Sequence, residues 1–271
     1  MTSSRSETPA PPSRIFLYED SSSPTVDLGE LRSHLKEGTD LDVETRPEFF
    51  SYYRDEELEA WASKLARLKV RDLHREQQDF EPLLGEVNFE LRLLSDPRRR
   101  LPGILYDGFR FQELLRSLIP PEERSLRVLH IPLTSRLLAT FDPNDRVYHA
   151  RVIVCGYPCV ISTSGIVEGP AKPKEFYRAR RGYSILGMSP PTEALKEEIR
   201  GRFIDYDDDR MTEVLKGYVL QALFYHMMGD PFCEDRDCRL FNAHWQEEMI
   251  RAQLTSGRLC PEHREFLSRI A

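Results

Sequence analysis

Four residues late in the 271-residue chain restrict its fold more than any others: Cys233 and Cys238, then Cys260 and His263. A tetrahedral zinc ion takes four soft or borderline ligands, and closely spaced pairs let two short loops each turn back on the ion. The 21 residues between the pairs are enough for a helix that returns the chain to the first loop. With all four positions filled by protein, such a site is closed: it supplies folding free energy and keeps no vertex for water. Cys233, Cys238, Cys260 and His263 are therefore expected to hold one structural Zn2+. The competing reading is an ordinary histidine beside unrelated thiols, but three of the chain's five cysteines fall in this one segment.

Composition narrows the setting. At 40% hydrophobic residues the chain can bury a core without disulfides, as one large domain or two small ones. An odd number of cysteines, no apolar block in residues 1–13 and no apolar run of membrane-spanning length favour reduced thiols and a cytoplasmic protein. The net charge of −7 argues against binding nucleic acid or anionic membrane through bulk charge.

Residues 1–13, rich in Ser, Thr and Pro, read as a tail. Arg14 to Glu19 reads as a strand, Asp27 to about Gly38 as a helix with Leu28, Leu31 and Leu35 on one face, and Leu41 to Phe50 as a second strand. This β-α-β opening implies parallel neighbours in a sheet. Helical spacing recurs over 55–80 (Leu58, Trp61, Ala62, Leu65, Leu68) and 108–118; β-rich blocks occupy 125–133 and 149–164. Residues 170–181 read as a basic connector, either a solvated loop or a contact surface for an acidic partner. Helices are expected over 192–202, 212–228 and about 241–254. The fold class is mixed α/β: a main domain over 14–229 and a zinc-binding helical subdomain over 230–271 packed on it.

The helix from Thr212 to Met228 has apolar residues around most of its circumference, which places it in the domain centre. Thr212 is expected to cap it and Gly229 to stop it. The stretch Ala222-Leu223-Phe224-Tyr225-His226-Met227-Met228-Gly229-Asp230-Pro231-Phe232-Cys233 has the layout of H-E-x-x-H-x-x-G-x-x-H-C. It resembles the zinc-peptidase motif of the archaemetzincins, a family of the metzincin clan. Cys238-Arg239-Leu240-Phe241-Asn242 and Leu259-Cys260-Pro261 extend the likeness, and Phe111 to Leu118 with Arg127 to Ile131 suggest it upstream. The resemblance implies a twisted sheet over a central helix, with a four-cysteine zinc site after that helix, the fourth position here being His263. It also implies an edge strand near 149–165 able to pair with an extended peptide.

The departures from the motif bear directly on activity. A metzincin zinc needs three histidines and a glutamate that takes a proton from the metal-bound water. Those positions here hold Ala222, Leu223, His226 and Phe232, so only one histidine remains. The expectation is a zinc-stabilised relative without the catalytic metal. The alternative is a working metallohydrolase in which His226 is joined by His130, His149 or an aspartate from 205–209. Two weaker arrangements also present themselves: a Cys–His nucleophile from His149, Cys155 and Cys159, and a pairing of His244 with Glu248, four residues apart.

Overall fold

A computed structural model describes residues 11–37, 39, 41–53, 58–99, 103–185, 188–189 and 191–269. Most of the expected tail, residues 1–10, lies outside the described residues, as does Gly38 at the expected end of the first helix. The opening is β1 (Arg14–Tyr18), α1 (Leu28–Lys36) and β2 (Asp42–Arg46), with β1 and β2 parallel. Asp27 starts α1 by accepting the Glu30 amide. The second strand is shorter than its apolar pattern suggests. After Pro47 the chain turns into α2 (Phe49–Tyr53), so Phe49 and Phe50 enter the core from a helix.

Next come α3 (Leu58–Ala66) and α4 (Leu84–Ser95), then β3 (Leu105–Asp107) and α5 (Gly108–Leu118). Strands β4 (Val128–Thr134), β5 (Leu137–Asp142), β6 (Val147–Arg151), β7 (Ile153–Val154) and β8 (Val160–Ser162) follow. The helices of the last third are α6 (Thr163–Glu168), α7 (Lys174–Ile185), α8 (Thr192–Glu198), α9 (Met211–Met228), α10 (Gln246–Ile250) and α11 (Pro261–Ser268). A wider π-helical stretch, Arg251–Ser256, continues α10. The basic connector is thus a helix: Phe176, Ala179 and Tyr183 recur at helical spacing and pack with Leu195, Ile199 and Phe203. No described helix is long and apolar enough to cross a membrane.

The strands form a five-stranded sheet, β2-β1-β4-β8-β7, and a three-stranded sheet, β3-β5-β6. The first four strands of the larger sheet run parallel and β7 closes its edge antiparallel to β8. Alternation along β1 decides the layers. Ile15 and Leu17 join α1 and α9 on one face, while Phe16 and Tyr18 meet Trp61, Leu65, Phe111 and Leu115 on the other. Both faces are covered, as a parallel sheet requires. The fold is mixed α/β.

Helix α9 is about 27 Å long at 1.5 Å per residue and is buried around most of its girth. It ends at Gly229 in the left-handed conformation (φ 75°), as its sequence implies. Its start differs. Arg210 occupies the cap position, and Thr212 lies inside the helix, where its hydroxyl accepts the Asp27 amide and donates to the Thr25 carbonyl. A residue that reads as a local cap instead ties α9 to the loop before α1.

The segment after α9 packs back on it through Cys238, Leu240, Met249 and Leu259. Gly217 of α9 is the point of closest approach: a Cβ there would sit 1.9 Å from Oε1 of Gln253. Gln253 donates to the Arg239 carbonyl, and Arg239 in turn bonds the Glu213 carbonyl and its carboxylate.

Candidate metal centre and the adjoining cleft

Two loops and a helix start bring the four sequence-predicted ligands together. The Cys233 amide donates to the Leu240 carbonyl and Arg239 to Arg258, so short bridges fold the first loop against the second. Cys260 precedes α11, whose first turn carries His263. The ligand atoms of Cys233, Cys238, Cys260 and His263 all lie within 4.8 Å of one another.

Cys233 Sγ and Cys260 Sγ are 4.0 Å apart, as are Cys238 Sγ and His263 Nδ1. Zn–S bonds of about 2.3 Å give a tetrahedral edge of about 3.8 Å, so these distances suit the ion. Cys260 Sγ and His263 Nδ1 are at hydrogen-bond distance, 2.9 Å, an edge that has to open by several tenths of an ångström to admit one.

The surroundings fit a bound cation as well. The Asp235 amide donates to Cys233 Sγ and the Cys260 amide to Cys238 Sγ, both at 3.4 Å, as suits thiolate ligands. Without an ion, burial pushes the Cys233 thiol up to about 12 and raises Cys238 too. A dication inverts that balance and holds the sulfurs deprotonated. Phe224 of α9 meets the His263 ring edge-on, with centroids 5.2 Å apart, and so links the cluster to the central helix.

The residues in the catalytic-motif positions behave differently. Ala222 and Leu223 are fully buried in the core, and Phe232 is partly exposed beside the cleft. His226 Nε2 is 2.7 Å from the Leu126 carbonyl, and burial holds the imidazole below its ordinary range. Among the described residues, no group of three or more ligand-type side chains includes His226.

The candidate partners of His226 are engaged elsewhere. His130 is buried, with Nδ1 2.8 Å from the Tyr18 hydroxyl and Nε2 3.2 Å from the Glu123 carbonyl. His149 pairs with Asp145 at the β5–β6 turn. Asp205 is bound to Lys196 and Asp208 to Arg210.

The two weaker arrangements resolve into structural roles. Cys159 beside Cys155 draws the Cys155 thiol downward while Cys159 is raised, and His149 is taken by Asp145. The Glu248 carboxylate accepts the His244 and Trp245 amides at the start of α10 and makes no pair with the His244 ring. That is capping chemistry, which the spacing of four disguises.

A cleft opens between residues 150–153 and α9, lined also by Pro170, Tyr218, Gln221, Phe232 and His244. Residues 147–154 pass from the edge of the small sheet (β6) to the edge of the large one (β7), with Val152 at the crossing. Strand β8 is interior, so within 149–165 only the part up to Val154 presents an edge. Gln221 is the residue that motif reading passes over. It is buried, its Oε1 has no hydrogen-bond partner, and its Nε2 lies 3.5 Å from the Phe241 carbonyl. The available signal was a lone amide inside the apolar run from Tyr218 to Phe224.

No curated protein matches the sequence. Two solved structures are similar to the chain at low identity. One is archaemetzincin from Methanopyrus kandleri, with a TM-score of 0.44 and 13% identity, covering 96% of this chain and 95% of that one. The other is a zinc-dependent peptidase from Methanocorpusculum labreanum, with a TM-score of 0.42 and 12% identity, covering 94% and 99%. The pattern of a probable metallopeptidase family (DUF6775) matches residues 11–270, nearly the whole sequence, and the chain belongs to that family.

Proposed function

We propose that this chain is a zinc-stabilised, non-catalytic member of its metallopeptidase family that binds an extended peptide along the 147–154 edge. Cys233, Cys238, Cys260 and His263 would hold one ion, which neutralises the thiolates and pins the segment after α9 onto that helix. The observation that carries the reading is the contrast between the two candidate centres. Four ligand-type side chains converge after α9, whereas His226 on α9 is bonded to a backbone carbonyl and belongs to no group of three or more ligand-type side chains among the described residues.

A lone imidazole does not retain zinc against water, and Leu223 cannot serve as a general base. Peptide binding is supported by the sheet edge and by Gln221, whose buried Oε1 is an acceptor suited to a peptide N–H. Elemental analysis of the purified chain tests the metal assignment. One zinc per chain is expected in the wild type and in His226→Ala, with loss in Cys238→Ser. A second tightly bound metal, or loss in His226→Ala, overturns the non-catalytic reading.

A further inference from the structure

Pro170 lines the cleft, and four residues later the chain enters α7. Residues 170–185 hold five Lys or Arg against one Glu, within a chain of net charge −7. Lys174, Arg178 and Arg181 follow a spacing of four and then three, so they form one stripe along the helix. That stripe is opposite the face that Phe176, Ala179 and Tyr183 turn to the core, and all three cations are exposed.

Arg202, next to this helix, binds both Glu175 and Glu247. Among the described residues, the Lys174, Arg178 and Arg181 side chains form no ion pair. Lys174 instead stands 5.6 Å from the Trp245 ring centre, and Trp245 pairs with Ala171 and follows His244 of the cleft wall. The stripe therefore starts beside the cleft wall and extends about 10 Å along α7, at 1.5 Å per residue.

We infer that the stripe of Lys174, Arg178 and Arg181 reads acidic side chains on a peptide that leaves the cleft past Pro170. The inference rests on the peptide-binding reading above and gives that site a substrate class: extended peptides with a run of Asp or Glu flanking the cleft-bound part. Cations at an interface rim steer an oppositely charged partner and contribute modestly per pair, in a salt-dependent way. Three such pairs amount to about tenfold in affinity at low salt.

Fluorescence anisotropy with the full chain tests this, using labelled twelve-residue peptides. Each has a six-residue Val-Thr repeat carrying six Glu or six Ser, placed before it in one set and after it in the other. In one of the two sets, Glu-tailed peptide is expected to bind about tenfold tighter than Ser-tailed peptide. That gain is expected to vanish at high salt and in the triple variant Lys174→Gln, Arg178→Gln, Arg181→Gln, with Ser-tailed binding unchanged.

Equal binding of the two tails in both sets, or a gain that survives the triple variant, overturns the inference and leaves the peptide-binding reading standing. An oligothymidylate of the same length binding as tightly as the Glu-tailed peptide, and lost in the triple variant, overturns it in favour of a nucleic-acid surface. If Ser-tailed peptide does not bind, or binds unaltered in Gln221→Leu, the peptide-binding reading itself fails and the inference falls with it.

Discussion

Replacing Gly217 by alanine sets two local effects against each other, and the structure decides between them. In an exposed helix interior, Gly→Ala stabilises by about 1 kcal/mol through backbone entropy. At position 217 the new methyl would lie 1.9 Å from Gln253 Oε1 and 2.4 Å from its Cδ, so the Gln253 side chain has to leave. Gln253 is buried, and its departure breaks the 2.8 Å bond to the Arg239 carbonyl. Overpacking of this kind costs about 1–3 kcal/mol, and the stranded polar groups about 1 kcal/mol more. The net expectation is a loss of about 1–3 kcal/mol, or about 3–10 °C in Tm for a chain of this size. Urea unfolding followed by circular dichroism measures it, with the double variant Gly217→Ala, Gln253→Ala as the control that removes the clash. The single variant should be the less stable of the two relative to its own Gly217 parent. A Gly217→Ala protein as stable as wild type, or more so, would refute the close approach of α9 and the 251–256 stretch.

The remaining predictions concern buried charge. Glu90 is fully buried between Lys69 at 2.8 Å and Arg136 at 2.7 Å, with the Tyr106 hydroxyl at 2.8 Å; Glu90→Gln strands two cations and should cost about 3–5 kcal/mol in denaturant titration. Burial raises the Glu90 carboxyl, but Arg136 and Lys69 outweigh it and hold it below its ordinary range. Its contribution is therefore present above the unfolded carboxyl range and lost as the pH falls through the lower folded value. His130 is held neutral, chiefly by burial, with its pKa lowered to about 4. The unfolded chain then binds the extra proton between about pH 6.5 and 4, so stability rises with pH across that window, by about 3 kcal/mol in all. Titration of the His130 ring by NMR with a midpoint near 6.5 would refute this, as would an unchanged pH slope in His130→Gln.

The chain's chemistry was more legible in its sequence than its connections were. The paired spacing of Cys233 with Cys238 and of Cys260 with His263, the β-α-β opening, the central helix and its glycine stop are all local patterns, carried by residues a few positions apart. What sequence reading missed depends on distant partners. Thr212 looks like a cap but serves a loop 185 residues away, at Asp27. The strand expected to reach Phe50 stops at Arg46, because the aromatic pair Phe49–Phe50 is just as apolar from a helix as from a strand. The basic stretch read as a connector folds because Phe176 and Tyr183 find Leu195 and Phe203, which no window of sequence displays. Glu248 matched a pairing rule for helix faces while its carboxylate was satisfying two backbone amides.

The crossing at Val152 has a mechanical consequence. One stretch of backbone is hydrogen-bonded into both sheets, and Gly165 lies so close behind it that a Cβ there would come within 2.2 Å of the Arg151 carbonyl. The two sheets cannot swivel against each other without shearing that stretch or prying it off α6. Whatever settles along the outer rim of 147–154 would therefore brace the molecule like a splint laid over a joint, stiffening both layers at once.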